Sequence, residues 1–155
     1  MKKSYEQEED PVDPRISLVT LGVTNLERSL KFYRDGLCWP LSSASVDGVV
    51  AFFRTGGTIL ALHPYSMLAQ DAQLSEKRTD GFCGITLSHN VHRPEEVDAI
   101  LQQAASSGGT ILKAATTTDW GGVHGYFADC DGYTWEVAWN PGFPFNPDGS
   151  LCLPE

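Results

Sequence analysis

The residue of this chain that most clearly suggests chemistry is Glu136, a carboxylate inside an otherwise apolar run. It stands between Trp135 and Val137, so a strand would turn its side chain away from the face of those two neighbours. A buried carboxylate is costly unless it accepts hydrogen bonds or holds a proton. The pattern therefore indicates either a binding or catalytic group, or a polar anchor with satisfied hydrogen bonds.

Histidine and aromatic side chains supply further candidates. His63 ends one apolar run, and His124 lies near the start of another. An unusual metal pair of His63 with Glu136 is one interpretation, and hydrogen-bonded polar residues at a cavity rim are the favoured one. Trp120 precedes two glycines, so it is expected on a loop, either as a lid or stacking platform or as a plug. We predict a catalytic candidate, Glu136, within a ligand-binding set of Phe53, His63, Trp120, His124, Tyr126 and Glu136.

The elements that must position these side chains occur twice along the chain. In the first unit the pattern predicts a strand over 16–23, a helix opened by a Thr24–Glu27 capping box, and strands over 39–45, 49–54 and 58–63. In the second unit it predicts a strand over 82–89, a helix from Pro94 to Gly108, and strands over 110–115, 121–128 and 133–139. Superimposing the units places Leu18 over Gly84 and Ala61 over Glu136.

The predicted fold class is therefore α+β, with two tandem βαβββ modules. They would form a curved, partly open mixed β-barrel around a cavity, with the helices outside. The first module spans about 15–64, a linker about 65–80, and the second module about 81–141. We expect residues 1–14 to be a disordered acidic tail and residues 142–155 to be a C-terminal extension.

Two stretches of this sequence resemble a known superfamily. The segment from Ser17 to Tyr33 is similar to its opening pattern V-x-D-L-x-x-S-x-x-F-Y, with Asn25 where Asp is usual. The segment 128–141 resembles its D-P-D-G-x-x-x-E ending, with Cys130 in place of Pro. The resemblance is to vicinal-oxygen-chelate proteins, which include glyoxalases, bleomycin-resistance proteins and ring-cleaving (extradiol) dioxygenases. The closer similarity is to a subgroup that ends in W-E-V-A-W-N-P.

This resemblance implies four metal-ligand positions, two in each module. In this sequence they fall on Leu18, Ala61, Gly84 and Glu136. Only Glu136 has a side chain that can coordinate, so the family's divalent metal is not expected and no cofactor is predicted. A displaced metal site that includes His63 or His124 is the alternative.

Composition narrows the class of partner. The net charge is −9 and no cluster of Lys and Arg appears, which argues against nucleic acid. No apolar run approaches the roughly 20 residues of a membrane span. The four cysteines form no CxxC pair, and together with the absence of an export signal this predicts reduced thiols in the cytoplasm. Unpaired sheet edges favour a homodimer.

Two functions follow as expectations. The first is a glyoxalase/bleomycin-resistance-like domain that binds a small organic molecule in its central cavity without the usual metal. The alternative is an enzyme of the same superfamily, a lyase or isomerase similar to lactoylglutathione lyase, or a dioxygenase. Such an enzyme would work with or without a metal and would use Glu136.

Overall fold

Two mixed sheets, each with helices, are built from residues 14–77 and 81–153, which a computed structural model describes. Of the predicted acidic tail, residues 1–13 lie outside the described residues. The first sheet and its helices comprise β1 (Leu18–Val23), α1 (Leu26–Leu30) continued by a π-helical turn (Lys31–Gly36), β2 (Ala51–Thr55), β3 (Thr58–Pro64) and α2 (Tyr65–Asp71). The second comprises β4 (Leu87–Asn90), α3 (Glu95–Ser106), β5 (Thr110–Thr117), β6 (Val123–Ala128) and β7 (Thr134–Trp139).

The two sheets repeat one topology. Their strand orders are β1-β3-β2 and β4-β7-β6-β5. In each, the first strand of the module pairs in parallel with the last, and the remaining pairs are antiparallel. The predicted α+β fold with a doubled unit is therefore confirmed, and the described sheets are open rather than closed into a barrel.

The predicted strand over 39–45 does not form. Only isolated bridges join Leu41 to Phe53 and Val46 to Val50, so the first sheet has three strands in the described residues. A turn closed by a hydrogen bond from the Ser45 N–H to the Ser42 carbonyl at 3.1 Å interrupts this segment, so its backbone cannot pair along the sheet. The expected turn at Asp47-Gly48 follows it, with Gly48 at a left-handed φ of 69°.

The first strand of the second module begins later than predicted. Gly81 and Gly84 adopt left-handed φ angles of 91° and 83°, which a strand cannot continue through, and pairing starts at Leu87. As a result Ser88, not Gly84, lies beside Glu136. In the first module Thr20 lies beside Ala61 in the equivalent way, while Leu18 pairs with Ile59.

The start of the first helix also differs from the prediction. Asn25 is the N-cap, because its side-chain oxygen accepts from the backbone N–H of Arg28 at 2.9 Å. The backbone N–H and hydroxyl of Thr24 donate to Asp131 Oδ1 instead, each at 3.0 Å. Thr24 therefore joins the two modules rather than capping its own helix.

One core includes residues of both modules. Apolar side chains of the π-helical turn, α3 and both sheets form a single buried cluster, in which Tyr33 contacts Phe53 and Trp135. Trp135 is 6% exposed, as expected for its predicted place under the helices. The hydroxyl of Tyr33 donates to Asp129 Oδ2 at 2.5 Å and accepts from Trp135 Nε1 at 3.1 Å. Burial and the neighbouring Asp129 raise the pKa of Tyr33, so it stays a proton donor.

The longest helix, α3, has 12 residues, and no helix in the described ranges combines the length and apolarity that crossing a membrane requires.

Candidate functional site

Glu136 lies at the centre of a polar cluster on one face of the second sheet. The register places Ser88 of β4 and Tyr126 of β6 directly beside it on the two flanking strands. The Ser88 hydroxyl donates to Glu136 Oε2 at 3.0 Å, and the Tyr126 hydroxyl donates to Oε1 at 2.9 Å. His124 Nδ1 lies 3.0 Å from the same Oε1. Three protein donors therefore surround this carboxylate.

A lysine extends the cluster on the far side of the histidine. Lys113 Nζ lies 2.8 Å from His124 Nε2. A lysine ammonium only donates, so Nε2 accepts and the ring proton is on Nδ1, where it donates to Glu136. The hydrogen bonds thus run in one direction, from Lys113 through a neutral imidazole to the carboxylate. We call Ser88, Lys113, His124, Tyr126 and Glu136 the Glu136 cluster.

An irregularity in β5 places Lys113 in this cluster. The pairing of β5 with β6 shifts register on both sides of Lys113, which lies opposite Tyr126. Such bulges redirect side chains and are common beside active sites. The amine lies 6.0 Å from the centre of the Tyr126 ring.

The hydrogen bonds set the protonation of Glu136. Burial raises its pKa, but the hydrogen bonds from His124, Tyr126 and Ser88 together outweigh burial and leave the pKa lowered. The pKa of Tyr126 moves the other way, raised by burial and by its bond to Glu136. Near neutral pH the site therefore holds a carboxylate next to a protonated phenol. Of the two protonation states open to a buried carboxyl, the structure favours the hydrogen-bonded anion.

Aromatic rings border the cluster on its open side. Trp120, 49% exposed on its loop, meets the His124 ring edge-on with centroids 6.0 Å apart. His124 in turn lies 5.3 Å from the Tyr126 ring, also edge-on. The Glu136 and His124 side chains keep 23% and 15% of their surface exposed. A small molecule can thus reach polar atoms and an aromatic surface together.

Two of the predicted ligand-binding residues lie elsewhere. His63 is in the first module, where Nδ1 lies 2.7 Å from the carbonyl of Val49 and Nε2 lies 3.7 Å from Asp71. No hydrogen bond or ion pair joins it to Glu136 in the described part of the chain. Phe53 is fully buried in the core, because β2 pairs it with the core residue Leu60. Its predicted place on the cavity wall is therefore wrong.

The structure unites Trp120, His124, Tyr126 and Glu136, and it adds Ser88 and Lys113, which the sequence did not single out. The glycines before β4 were the signal that could have indicated Ser88. Because Gly84 adopts a left-handed φ, the strand starts after it, and Ser88 takes the position beside Glu136. Lys113 had no such signal. Strict alternation cannot show that a bulge turns this lysine toward Tyr126.

The donor set does not fit the divalent metal that the fold family implies. Among the described residues, no group of three His, Cys, Asp or Glu side chains is close enough to hold an ion. Both oxygens of Glu136 accept protein hydrogen bonds, and the free nitrogen of His124 is paired with the cationic Lys113. At the equivalent place in the first module, Thr20 and Ala61 offer one hydroxyl and no charge.

Comparisons with known proteins agree with this architecture. The sequence model of the "Glyoxalase/Bleomycin resistance protein/Dioxygenase superfamily" matches residues 15–137. The crystal structure of a glyoxalase-related enzyme from Fulvimarina pelagi is 31% identical, with a TM-score of 0.83 over 92% of this chain and 99% of that one. A comparison with curated protein sequences gives no match.

More distant structures share the fold alone. One is a glyoxalase/bleomycin resistance protein/dioxygenase family enzyme from Burkholderia phytofirmans PsJN, 17% identical with a TM-score of 0.73 over 81% of this chain and 98% of that one. Another is a lactoylglutathione lyase from Agrobacterium tumefaciens, 19% identical with a TM-score of 0.63 over 83% and 95%. With the family match covering most of its length, this chain belongs to the glyoxalase/bleomycin resistance protein/dioxygenase superfamily.

Proposed function

We propose that this protein binds a small organic molecule against the Glu136 cluster and that it does so without a divalent metal. The observation that carries the proposal is the satisfied state of Glu136, whose oxygens accept from Ser88, His124 and Tyr126. A carboxylate with three protein donors is an organising group for the site rather than an open metal ligand. Trp120 offers a flat apolar surface, and the exposed Lys113 offers a donor to a ligand oxygen.

An enzyme is the second candidate, and the His124–Glu136 contact favours it. An imidazole whose Nδ1–H bonds a carboxylate is oriented and can take up a proton at its other nitrogen. The chemistry that suits this pair is proton removal next to a carbonyl, as in isomerases and lyases. The similar structure from Fulvimarina pelagi is named a glyoxalase-related enzyme, which is compatible with this candidate.

The metal content of purified protein tests the first proposal. We expect substoichiometric nickel, zinc, iron and manganese by elemental analysis, in wild type and in Glu136→Gln alike, because the cluster lacks a third ligand. About one equivalent of metal per chain in the wild type, lost in Glu136→Gln, would contradict the metal-free proposal.

Binding and turnover are separated by recovering the ligand. Trp120 fluorescence is titrated with a panel of small aldehydes, ketones and carboxylates, and Trp120→Phe supplies the background from the other tryptophans. We expect quenching in the wild type, with the compound recovered unchanged in mass and structure. A compound recovered as an isomer or a cleavage product supports the enzyme instead. If no compound of the panel quenches Trp120 and none is converted, both the binding proposal and the enzyme candidate are contradicted.

We also propose that the protein is a homodimer. β1 and β2 are edge strands of the first sheet, and β4 and β5 are edge strands of the second. Leu18 and Ile59 pair in β1 and β3, and they stay 45% and 39% exposed. Size exclusion with light scattering is expected to give about twice 16.9 kDa for the wild type and a smaller mass for Leu18→Lys. A wild-type mass of one chain would refute the dimer.

The cytoplasm is the compartment that we propose. The four cysteines are free thiols in the described structure, which suits a reducing compartment. Periplasmic or secreted protein in a fractionation experiment would contradict this assignment.

A further inference from the structure

We propose that Lys113 is a covalent attachment point for carbonyl compounds, forming an imine with an aldehyde or ketone bound at the Glu136 cluster. The proposal rests on the proposed function, because it names the ligand class of the same face. It assigns to Lys113 a reactive role and to His124 the role of proton acceptor.

The first observation is that three side chains form a series of hydrogen bonds. An amine, a base and an orienting carboxylate follow one another at 2.8 Å and 3.0 Å, from Lys113 Nζ through the His124 ring to Glu136. A nucleophile within hydrogen-bond reach of a base, itself held by a third group, is the arrangement that activates side chains for covalent catalysis. In this chain the nucleophile is an amine, and amines react with carbonyl groups.

The second observation is that the base is held on several sides. The His124 ring is hydrogen-bonded to Glu136 and lies edge-on to Trp120 and Tyr126. Glu136 in turn accepts hydrogen bonds from Ser88 and Tyr126. The imidazole therefore keeps Nε2 aimed at the amine, whereas a histidine on a free surface would sample several rotamers.

The third observation is that Lys113 and Lys31 have different partners. Lys31 pairs with the exposed carboxylate of Glu27 at 3.2 Å, and no imidazole faces its amine in the contacts of that pair. Lys113 instead faces a neutral imidazole, which can accept the proton that must leave before the amine attacks. Lys113 is exposed, so a carbonyl compound has access to its amine.

The reaction balances within these groups. His124 Nε2 takes one proton from the Lys113 ammonium, and the imidazolium formed is stabilised by Glu136. The free amine adds to the carbonyl carbon, so a C–N bond forms as the C=O π bond breaks, and one proton passes from the nitrogen to the oxygen. The resulting carbinolamine then loses its hydroxyl as water with the proton that His124 returns, which leaves the protonated imine and a neutral His124. One water is released, and nothing is oxidised or reduced.

Reductive trapping tests the inference. The native protein is incubated with benzaldehyde and sodium cyanoborohydride, and labelled lysines are located by peptide mass spectrometry. We expect labelling of Lys113 to exceed that of Lys31 by about tenfold or more, since general-base assistance contributes factors of this size and larger. In His124→Gln and Glu136→Gln the Lys113 label should fall to the level of Lys31, while the Lys31 label in the same molecules is unchanged.

Two controls keep the result interpretable. Lys113→Arg should lose the dominant label, and Lys31→Arg should retain it. A thermal melt of each variant shows that the fold persists. Equal labelling of Lys31 and Lys113 in the wild type, or a dominant Lys113 label that survives His124→Gln in a folded protein, overturns the proposal.

A separate readout distinguishes this failure from that of the proposed function. Quenching of Trp120 fluorescence by benzaldehyde, measured without reductant and corrected with Trp120→Phe, reports binding rather than bond formation. Quenching without preferential labelling of Lys113 overturns the imine and leaves the binding face standing. The absence of both quenching and preferential labelling overturns the imine and counts against the binding face for carbonyl compounds.

Discussion

Replacing Asp131 by alanine is expected to lower the free energy of unfolding by about 3–5 kcal/mol, because it removes a buried carboxylate that accepts several hydrogen bonds. The Asp131 side chain is fully buried, although it belongs to the turn between β6 and β7. Oδ1 accepts from Thr24 and from Arg28 Nη2 at 3.0 Å, and Oδ2 accepts from the Ser29 hydroxyl at 2.5 Å. One carboxylate therefore connects the second module to the first helix of the other module.

The size of this effect follows from the hydrogen bonds that the substitution removes. The hydroxyl of Ser29 is fully buried and loses its carboxylate partner, and the exposed Thr24 loses the acceptor of its backbone N–H and hydroxyl. A buried donor that loses its acceptor costs about 1–3 kcal/mol, and a hydrogen bond to a charged group contributes about 1.5–3 kcal/mol. Arg28 also loses its ion pair, although its half-exposed side chain can return to water.

Urea denaturation of the wild type and Asp131→Ala checks this prediction. Asp35→Ala is the matched control, because Asp35 is an exposed carboxylate whose partner Arg34 is also exposed. We expect the control to leave the urea midpoint unchanged. A midpoint for Asp131→Ala equal to that of the control would show that the turn does not hold the modules together.

The same carboxylate predicts a pH dependence. Burial raises the pKa of Asp131, but the hydrogen bonds from Ser29 and Thr24 and the charge of Arg28 outweigh it, so the folded pKa is lowered. A lowered pKa contributes stability that is fully present above the unfolded value of about 3.9 and is lost as pH falls through the folded pKa. The stability advantage of wild type over Asp131→Asn should therefore be constant from pH 6 to 7 and shrink below about pH 4. An advantage that grows on acidification would contradict this sign.

Tyr33→Phe is expected to be the next most damaging substitution, lowering the free energy of unfolding by about 2–4 kcal/mol. It removes only a hydroxyl, but that hydroxyl serves two buried partners, Asp129 as acceptor and Trp135 Nε1 as donor. Asp129 keeps its bonds to the backbone N–H groups of Asp131 and Tyr133, which limits the loss. In a chain of this length, such a change lowers Tm by roughly 5–15 °C.

Tyr126→Phe is the control for Tyr33→Phe, since it deletes the same atom from the partly exposed Glu136 cluster. We expect its Tm to stay within about 3 °C of the wild type, because water can replace its hydroxyl. Thermal melts followed by circular dichroism measure both variants. Similar shifts for the two would mean that the buried Tyr33 hydroxyl contributes no more than an exposed one.

Much of the fold was predictable because it depends on local patterns. Alternation around Glu136 placed Trp135 in the core and the carboxylate on the other face, and both hold in the structure. The doubled unit was visible as a repeated order of apolar runs and turns. The predicted strand over 39–45 failed because a turn between Ser42 and Ser45 interrupts it, an outcome decided by competition between local structures.

The candidate site depended on contacts between distant parts of the chain. Trp120, His124, Tyr126 and Glu136 lie close together in sequence, and the hairpin of β6 and β7 brings the last three into contact, so they were within reach of sequence reasoning. His63 was grouped with them by its place in the strand, but similar spacing in two modules does not show that its contacts lie within the first module. Phe53 was misplaced because adjacent residues of a strand face opposite sides, and only pairing with β3 shows which of Phe52 and Phe53 shares the face of Ala61.

By itself, the sequence determined the α+β class, the duplication and the superfamily resemblance, since all of these are properties of residue type and order. The tertiary structure decided what Glu136 contacts. It joined the carboxylate to Ser88 across a parallel strand pair and, through His124, to a lysine that a bulge turns toward it. Register and bulges arise from long-range pairing energies, which no local window of the sequence contains.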